Sequence, residues 1–136
     1  MALRLIPHIH RATHRIGMHI AELDDPAVNQ AEAHVLAHLA SAGESTIGQV
    51  HRAFGHRRST LTSILDRLEE RNLIERTSDA RDRRTFVVSL TRTGKAAARR
   101  VVDHLAAFER QALQGVPATD IRAFLRVLAR FEGDEG

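Results

Sequence analysis

The residue types best suited to chemistry cluster between Glu44 and Asp66. No carboxylate lies between those two, while Arg52, Arg57, Arg58, Ser59, Thr60 and Thr62 all do. A guanidinium offers two parallel N–H donors in one plane, a match for a phosphate or for the acceptor edge of guanine. Serine and threonine hydroxyls can serve either bases or phosphates. A second basic group, Arg81, Arg83 and Arg84, follows inside the polar run SDARDRR. These residues can recognise anions and base edges; they are not a set for covalent turnover. The sequence has no Gly-x-Ser-x-Gly elbow, phosphate-binding glycine loop or dinucleotide fingerprint. The acid pairs Asp24/Asp25 and Glu69/Glu70 read as solvated helix ends or faces. No enzymatic activity and no cofactor are therefore expected.

Nine histidines raise a second chemistry. His10/His14 and His34/His38 are i, i+4 pairs that can share a metal from one helical face, and His104 can join them from a later helix. A closed site needs about four well-placed ligands. No metal is assigned on this pattern; His34, His38 and His104 are the candidates of a metal-responsive alternative. Half-buried packing accounts for His34 and His38 as well. Histidine titrates near neutrality, but the spacing does not single out a pH response.

The elements that must position the basic residues follow from periodicity. Leu5, Ile9, Ile16 and Ile20 mark a first helix ending near Asp24-Asp25-Pro26. A second runs from about Asn29 to Ala40, with Val35, Leu36 and Leu39 inward, closed by Ser41-Ala42-Gly43. Thr46 and Gln49 have capping-box spacing, so a short third helix starts there, with Ile47, Val50 and Phe54 as its core residues. Gly55 suits a tight turn with positive φ. Leu61, Ile64, Leu65 and Leu68 stand at i, i+3, i+4 and i+7, the core stripe of a fourth helix ending at Asn72. Its first turn carries Arg58, Ser59, Thr60 and Thr62 on the other side. Leu73–Arg76 and Thr85–Leu90 read as a hairpin around SDARDRR, with Phe86, Val88 and Leu90 alternating toward a buried face. Thr91 caps a long helix to about Gln114, and Gly115 and Pro117 break it. A last helix starts at Thr119 or Asp120, with Ile121, Leu125, Leu128 and Phe131 inward.

Short helix, glycine turn, arginine-rich helix and arginine-tipped hairpin, in that order, make a winged helix-turn-helix. In that arrangement the N-terminal residues of the second helix meet base edges in the major groove. An isolated basic helix would need no more than solvent to explain it. The hairpin and preceding helix shift the reading to DNA, with Arg52 and Arg57 mainly on phosphates and Arg81 entering an adjacent minor groove.

Composition narrows the partners. The chain has 136 residues, enough for one domain with a real core, and a formal net charge of +3. Total charge does not argue for nucleic acid; its distribution does. Lys95 is the only lysine. The chain has no cysteine, which excludes a disulfide scaffold, a thiolate zinc site and a thiol redox sensor. With no Trp or Tyr and five Phe, there is no aromatic platform for single strands. No run is long enough for a signal peptide or a bilayer span, so no membrane is expected and the cytoplasm is the expected compartment.

From about Ala31 to Ala97 the sequence resembles the MarR family of transcriptional regulators. The resemblance rests on LDRLEERNLIER at Leu65 to Arg76, DARDRR at Asp79 to Arg84 and SLTRTG at Ser89 to Gly94, in that order and spacing. It implies a mainly α fold with a small β-hairpin wing: a winged helix-turn-helix over about 29–91, with dimerisation helices over about 1–25 and 92–136 of a single domain, 1–136. It implies a homodimer with intertwined terminal helices, reading a pseudo-palindromic operator in double-stranded DNA. It also implies repression relieved by a small-molecule effector or another signal. Asp66 matches the acidic position of the recognition helix, and Arg84 the wing arginine that pairs with it. Arg81 matches the wing position that reaches the minor groove. Some members respond to zinc, and His34 lies near a position used there, but the dense histidine cluster of their penultimate helix is absent. The sequence departs from the pattern at Arg57, where an N-cap residue is usual, at His56, a turn position usually apolar, and at His51, usually small. Two alternatives stand beside the operator-binding reading: the metal-responsive regulator, and a winged domain that binds only a protein partner.

Overall fold

The computed structural model describes residues 2–55 and 57–133, so His56 lies outside the described residues. They fall into two units, one up to Ala106 and one from Ala107. Six helices and three short strands follow in the order α1 (Ile6–Ala21), α2 (Gln30–Ala42), β1 (Ser45–Thr46), α3 (Ile47–Phe54), α4 (Arg58–Glu70), β2 (Ile74–Ser78), β3 (Phe86–Leu90), α5 (Arg92–Ala112) and α6 (Ala118–Glu132).

The helix starts are written in side chains. Asn29 accepts from the Glu32 N–H while Glu32 accepts from the Asn29 N–H, and Thr46 and Gln49 repeat the exchange at α3. Glu32 is buried, and Arg71 stands 3.9 Å from its other oxygen while donating to the Ala27 carbonyl at 2.7 Å. Thr91 Oγ1 accepts from the Gly94 N–H at 2.9 Å and donates to the Asn72 carbonyl at 2.6 Å, so one hydroxyl caps α5 and ties it to the end of α4. Asn72 takes the left-handed φ of 59° that ends α4.

The sheet is antiparallel with β3 in the centre, β2 on one side and β1 on the other. The sequence patterns do not foretell β1: two residues have no period, and Ser45 and Thr46 become a strand by pairing with Val88 and Val87. Leu36, Leu61, Ile64, Leu65, Leu68, Ile74 and Val88 fill the core between α2, α4 and the sheet, joined by Ala97, Ala98 and Val101 from α5. Gly94 is where α5 crosses the Leu73 backbone; a Cβ there would collide with the Leu73 carbonyl.

Two expected burial patterns are corrected. Phe86 does not share the buried face of Val88: it is 50% exposed, because the far end of β3 runs beyond the core. Along α6, Leu125 and Phe131 are exposed, as are Phe124 and Val127, while Ile121 and Leu128 are half-buried. The helix does have an apolar period, but no residue of α6 is buried within the chain.

Candidate nucleic-acid interface

The anchor of the site is the stripe Leu61, Ile64, Leu65 and Leu68, each at most 1% exposed. It sets the rotation of α4 and leaves Arg58, Ser59, Thr60 and Thr62 on the outer surface. Arg57 is the N-cap residue, in extended conformation with no side-chain cap bond. A cationic N-cap adds positive charge where helix N–H groups already favour an anion. The Thr62 hydroxyl donates to the Arg58 carbonyl at 2.9 Å, which leaves its oxygen able to accept. Gly55 ends α3 in the left-handed region, φ 63°, the conformation expected of the turn.

α3, α4 and the wing enclose a groove of about 590 Å³ lined by Gly48, His51, Arg52, Arg58, Thr62, Arg76, Arg84, Thr85 and Phe86 among others, with no carboxylate-bearing residue in the lining. The structure thus brings Arg52, Arg58, Thr62 and Arg84 to one concave surface. His51 is half-buried at its wall. Arg81 and Arg83 are exposed in the hairpin loop. That loop is shaped by its own aspartates: Asp79 accepts from the Arg81 N–H, and Asp82 from the Arg84 N–H and guanidinium. The Arg84 bond holds the exposed Asp82 carboxyl below the usual carboxylate range.

The expected wing-positioning pair, Asp66 with Arg84, is not formed. Asp66 receives a 2.7 Å bond from Arg76 Nη2, and Arg84, with a side chain 91% exposed, bonds Asp82 two residues away. Arg76 also donates twice to Glu69, at 3.0 and 3.2 Å. The reason is geometric. Arg76 sits mid-strand on β2, directly beside α4, whereas Arg84 belongs to the loop, where Asp82 is the nearer acid. Arg76 therefore joins wing to recognition helix. The hydrogen bond from Arg76 lowers the Glu69 pKa, and its two carboxylate partners raise that of Arg76. Asp66, Glu69 and Arg76 all stand within LDRLEERNLIER; strand register, which only the fold supplies, selects the arginine.

The histidines are distributed differently from the expected set. His38 packs edge-on against Phe54 with centroids 5.4 Å apart, and burial lowers the His34 pKa. Neither joins His104. Among the described residues, the grouping able to share a metal is His19, Glu22 and His104.

The fold and groove define a winged helix-turn-helix protein. Residues 28–85 match the model of the MarR family, and the chain belongs to that family. The HTH-type transcriptional repressor MdtR of Bacillus subtilis is 33% identical over 75 residues, 55% of this chain and 48% of MdtR; the chain thus spans about half the length of that relative. The Staphylococcus aureus MepR–DNA complex superposes with a TM-score of 0.81 at 18% identity, covering 96% of this chain and 97% of MepR. NadR in complex with 4-hydroxyphenylacetate gives a TM-score of 0.84 at 17% identity, covering 98% and 96%. Among the described residues no helix is long and apolar enough to cross a membrane.

Proposed function

We propose that the chain is a sequence-specific double-stranded DNA-binding transcriptional regulator, a homodimeric repressor of the cytoplasm. The observation that carries this reading is the carboxylate-free groove with Arg52, Arg58, Thr62 and Arg84 on its walls. Arg58, Ser59, Thr60 and Thr62 contact base edges or adjacent phosphates in the major groove. Arg57 and Arg52 hold phosphates, and Arg81 and Arg83 carry the wing to the adjacent minor groove. The exposed apolar residues of α6, and Leu3, Leu5 and Ile6 at the N-terminus, support a dimer in which a second copy covers them. Two winged units related by a two-fold axis then read a pseudo-palindrome. MepR is known bound to DNA and NadR bound to a small aromatic acid, which supports operator binding under the control of a ligand. An apolar cavity of about 380 Å³ between Leu39, Leu90 and Val102, with Lys95 and Arg99 in its wall, suits such an anion.

Fragments selected from genomic DNA by the protein test the reading. Affinity for them should exceed that for random DNA and fall steeply with salt as phosphate contacts release counterions. Arg58→Ala should cost about 1–3 kcal/mol and relax sequence preference if it contacts a base. Equal affinity for selected and random DNA at physiological salt would refute sequence-specific recognition. Intact partner binding without salt-dependent DNA binding would favour the protein-docking alternative.

A further inference from the structure

The end of α1 and the middle of α5 bring His19, Glu22 and His104 together, away from the DNA-reading groove. The two imidazoles stack with centroids 3.9 Å apart and planes 5° from parallel. Each ring is held by the other helix. His104 Nε2 bonds the His19 carbonyl at 2.7 Å, and His19 Nε2 bonds the His104 carbonyl at 3.2 Å. A carbonyl oxygen only accepts, so both Nε2 atoms carry the proton. In the neutral rings, Nδ1 is then the ligand nitrogen of each. His19 Nδ1 stands 3.3 Å from Glu22 Oε2, and one ligand atom from each of the three residues lies within 4.8 Å of the others.

Three features of this arrangement fit a metal. Two ligands at about 2.0–2.1 Å from a tetrahedral ion are about 3.3 Å apart, the observed spacing of His19 and Glu22. An imidazole N–H given to a backbone carbonyl is the outer-shell bond that orients metal-ligating histidines. The Glu22 side chain is 70% exposed against 20% for His19, which supplies an entry path from solvent. We propose that His19, Glu22 and His104 form a site for one divalent transition-metal ion of the Zn²⁺ class, bound through the two Nδ1 atoms and the Glu22 carboxylate, with water in the fourth position. Two imidazoles and a carboxylate are a donor set Zn²⁺ accepts. The ion would clasp α1 to α5, a contact already made by the paired ring–carbonyl bonds and, nearby, by Arg100 donating to the Asp25 carbonyl at 3.1 Å.

The test uses the full chain without an affinity tag, stripped of metal by chelator and dialysis. Zn²⁺ is titrated calorimetrically and Co²⁺ followed by visible absorption. The expected result is one ion per chain, a tetrahedral Co²⁺ spectrum, and at least about tenfold weaker binding in Glu22→Gln, His19→Gln and His104→Gln. Glu22→Gln alters an exposed side chain and keeps the test clean if a histidine variant fails to fold. A His10→Gln/His14→Gln double variant should bind Zn²⁺ as the parent does. Absence of Zn²⁺ binding, binding unchanged in Glu22→Gln, or binding lost in the His10/His14 variant would overturn the proposal. The first two results would leave the His19–Glu22 contact as an ion pair of a protonated imidazole.

Discussion

Replacing Arg76 with methionine keeps the aliphatic stem on β2 and removes the guanidinium that joins the wing to α4. Three hydrogen bonds disappear, at 2.7 Å to Asp66 and at 3.0 and 3.2 Å to Glu69. The Arg76 side chain is 26% exposed, and those of Asp66 and Glu69 are 48% and 41%. Solvent screening therefore keeps each pair near the surface range of about 0.2–1 kcal/mol, and the two together give about 1–2 kcal/mol. That corresponds to a fall in Tm of roughly 3–5 °C per kcal/mol for a chain of this length. The assay is urea denaturation at fixed protomer concentration, in a double-mutant cycle. Arg76→Met with Asp66→Ala should show coupling of at least about 0.5 kcal/mol, whereas Arg84→Met with Asp66→Ala should be additive within about 0.3 kcal/mol. The pH dependence has a defined sign. Arg76 lowers the Glu69 pKa in the folded state, so this stabilisation is complete above the unfolded carboxyl value of about 4.3 and is lost as pH falls through the lower folded value. The gap between parent and Arg76→Met should narrow below about pH 4. Coupling to Arg84 in place of Arg76, or a gap that persists at pH 3, would refute the assignment.

Other substitutions probe the remaining contacts. Gly94→Ala should destabilise by more than about 2 kcal/mol in thermal melts, because the new Cβ meets the Leu73 backbone, which cannot yield as a flexible side chain can. Asn29→Ala removes the cap of α2 and the partner of the Glu32 amide, and should cost about 1 kcal/mol by the same denaturation assay. Leu125→Asp changes an exposed residue of α6, so the folded chain should keep its helical circular dichroism. Analytical ultracentrifugation should nonetheless find monomer, with operator affinity lost alongside.

The local elements were legible because their causes are local. Thr46 with Gln49 specifies the start of α3, the Leu61–Leu68 stripe specifies which face of α4 is inward, and Thr91 caps α5; each device acts within a turn or two. The exposed arginines of the first turn of α4 followed directly, since fixing one face of a helix fixes the other. The strand pairing of Ser45 and Thr46 was not legible, because two residues carry no period and their partner is Val87–Val88, more than forty residues away. The choice of Arg76 over Arg84 is of the same kind: both are arginines near Asp66 in the fold, and only the β2 register places one beside the helix. The nine histidines show the limit most plainly. Spacing along a helix proposed His34, His38 and His104, but it is the crossing of α5 over α1 that stacks His104 on His19. The sequence by itself determined the winged helix-turn-helix, its core stripe and its basic reading surface, all set by periodicity and short-range hydrogen bonding. Tertiary structure decided which distant charges and rings meet, because those contacts depend on packing between elements that no local pattern encodes.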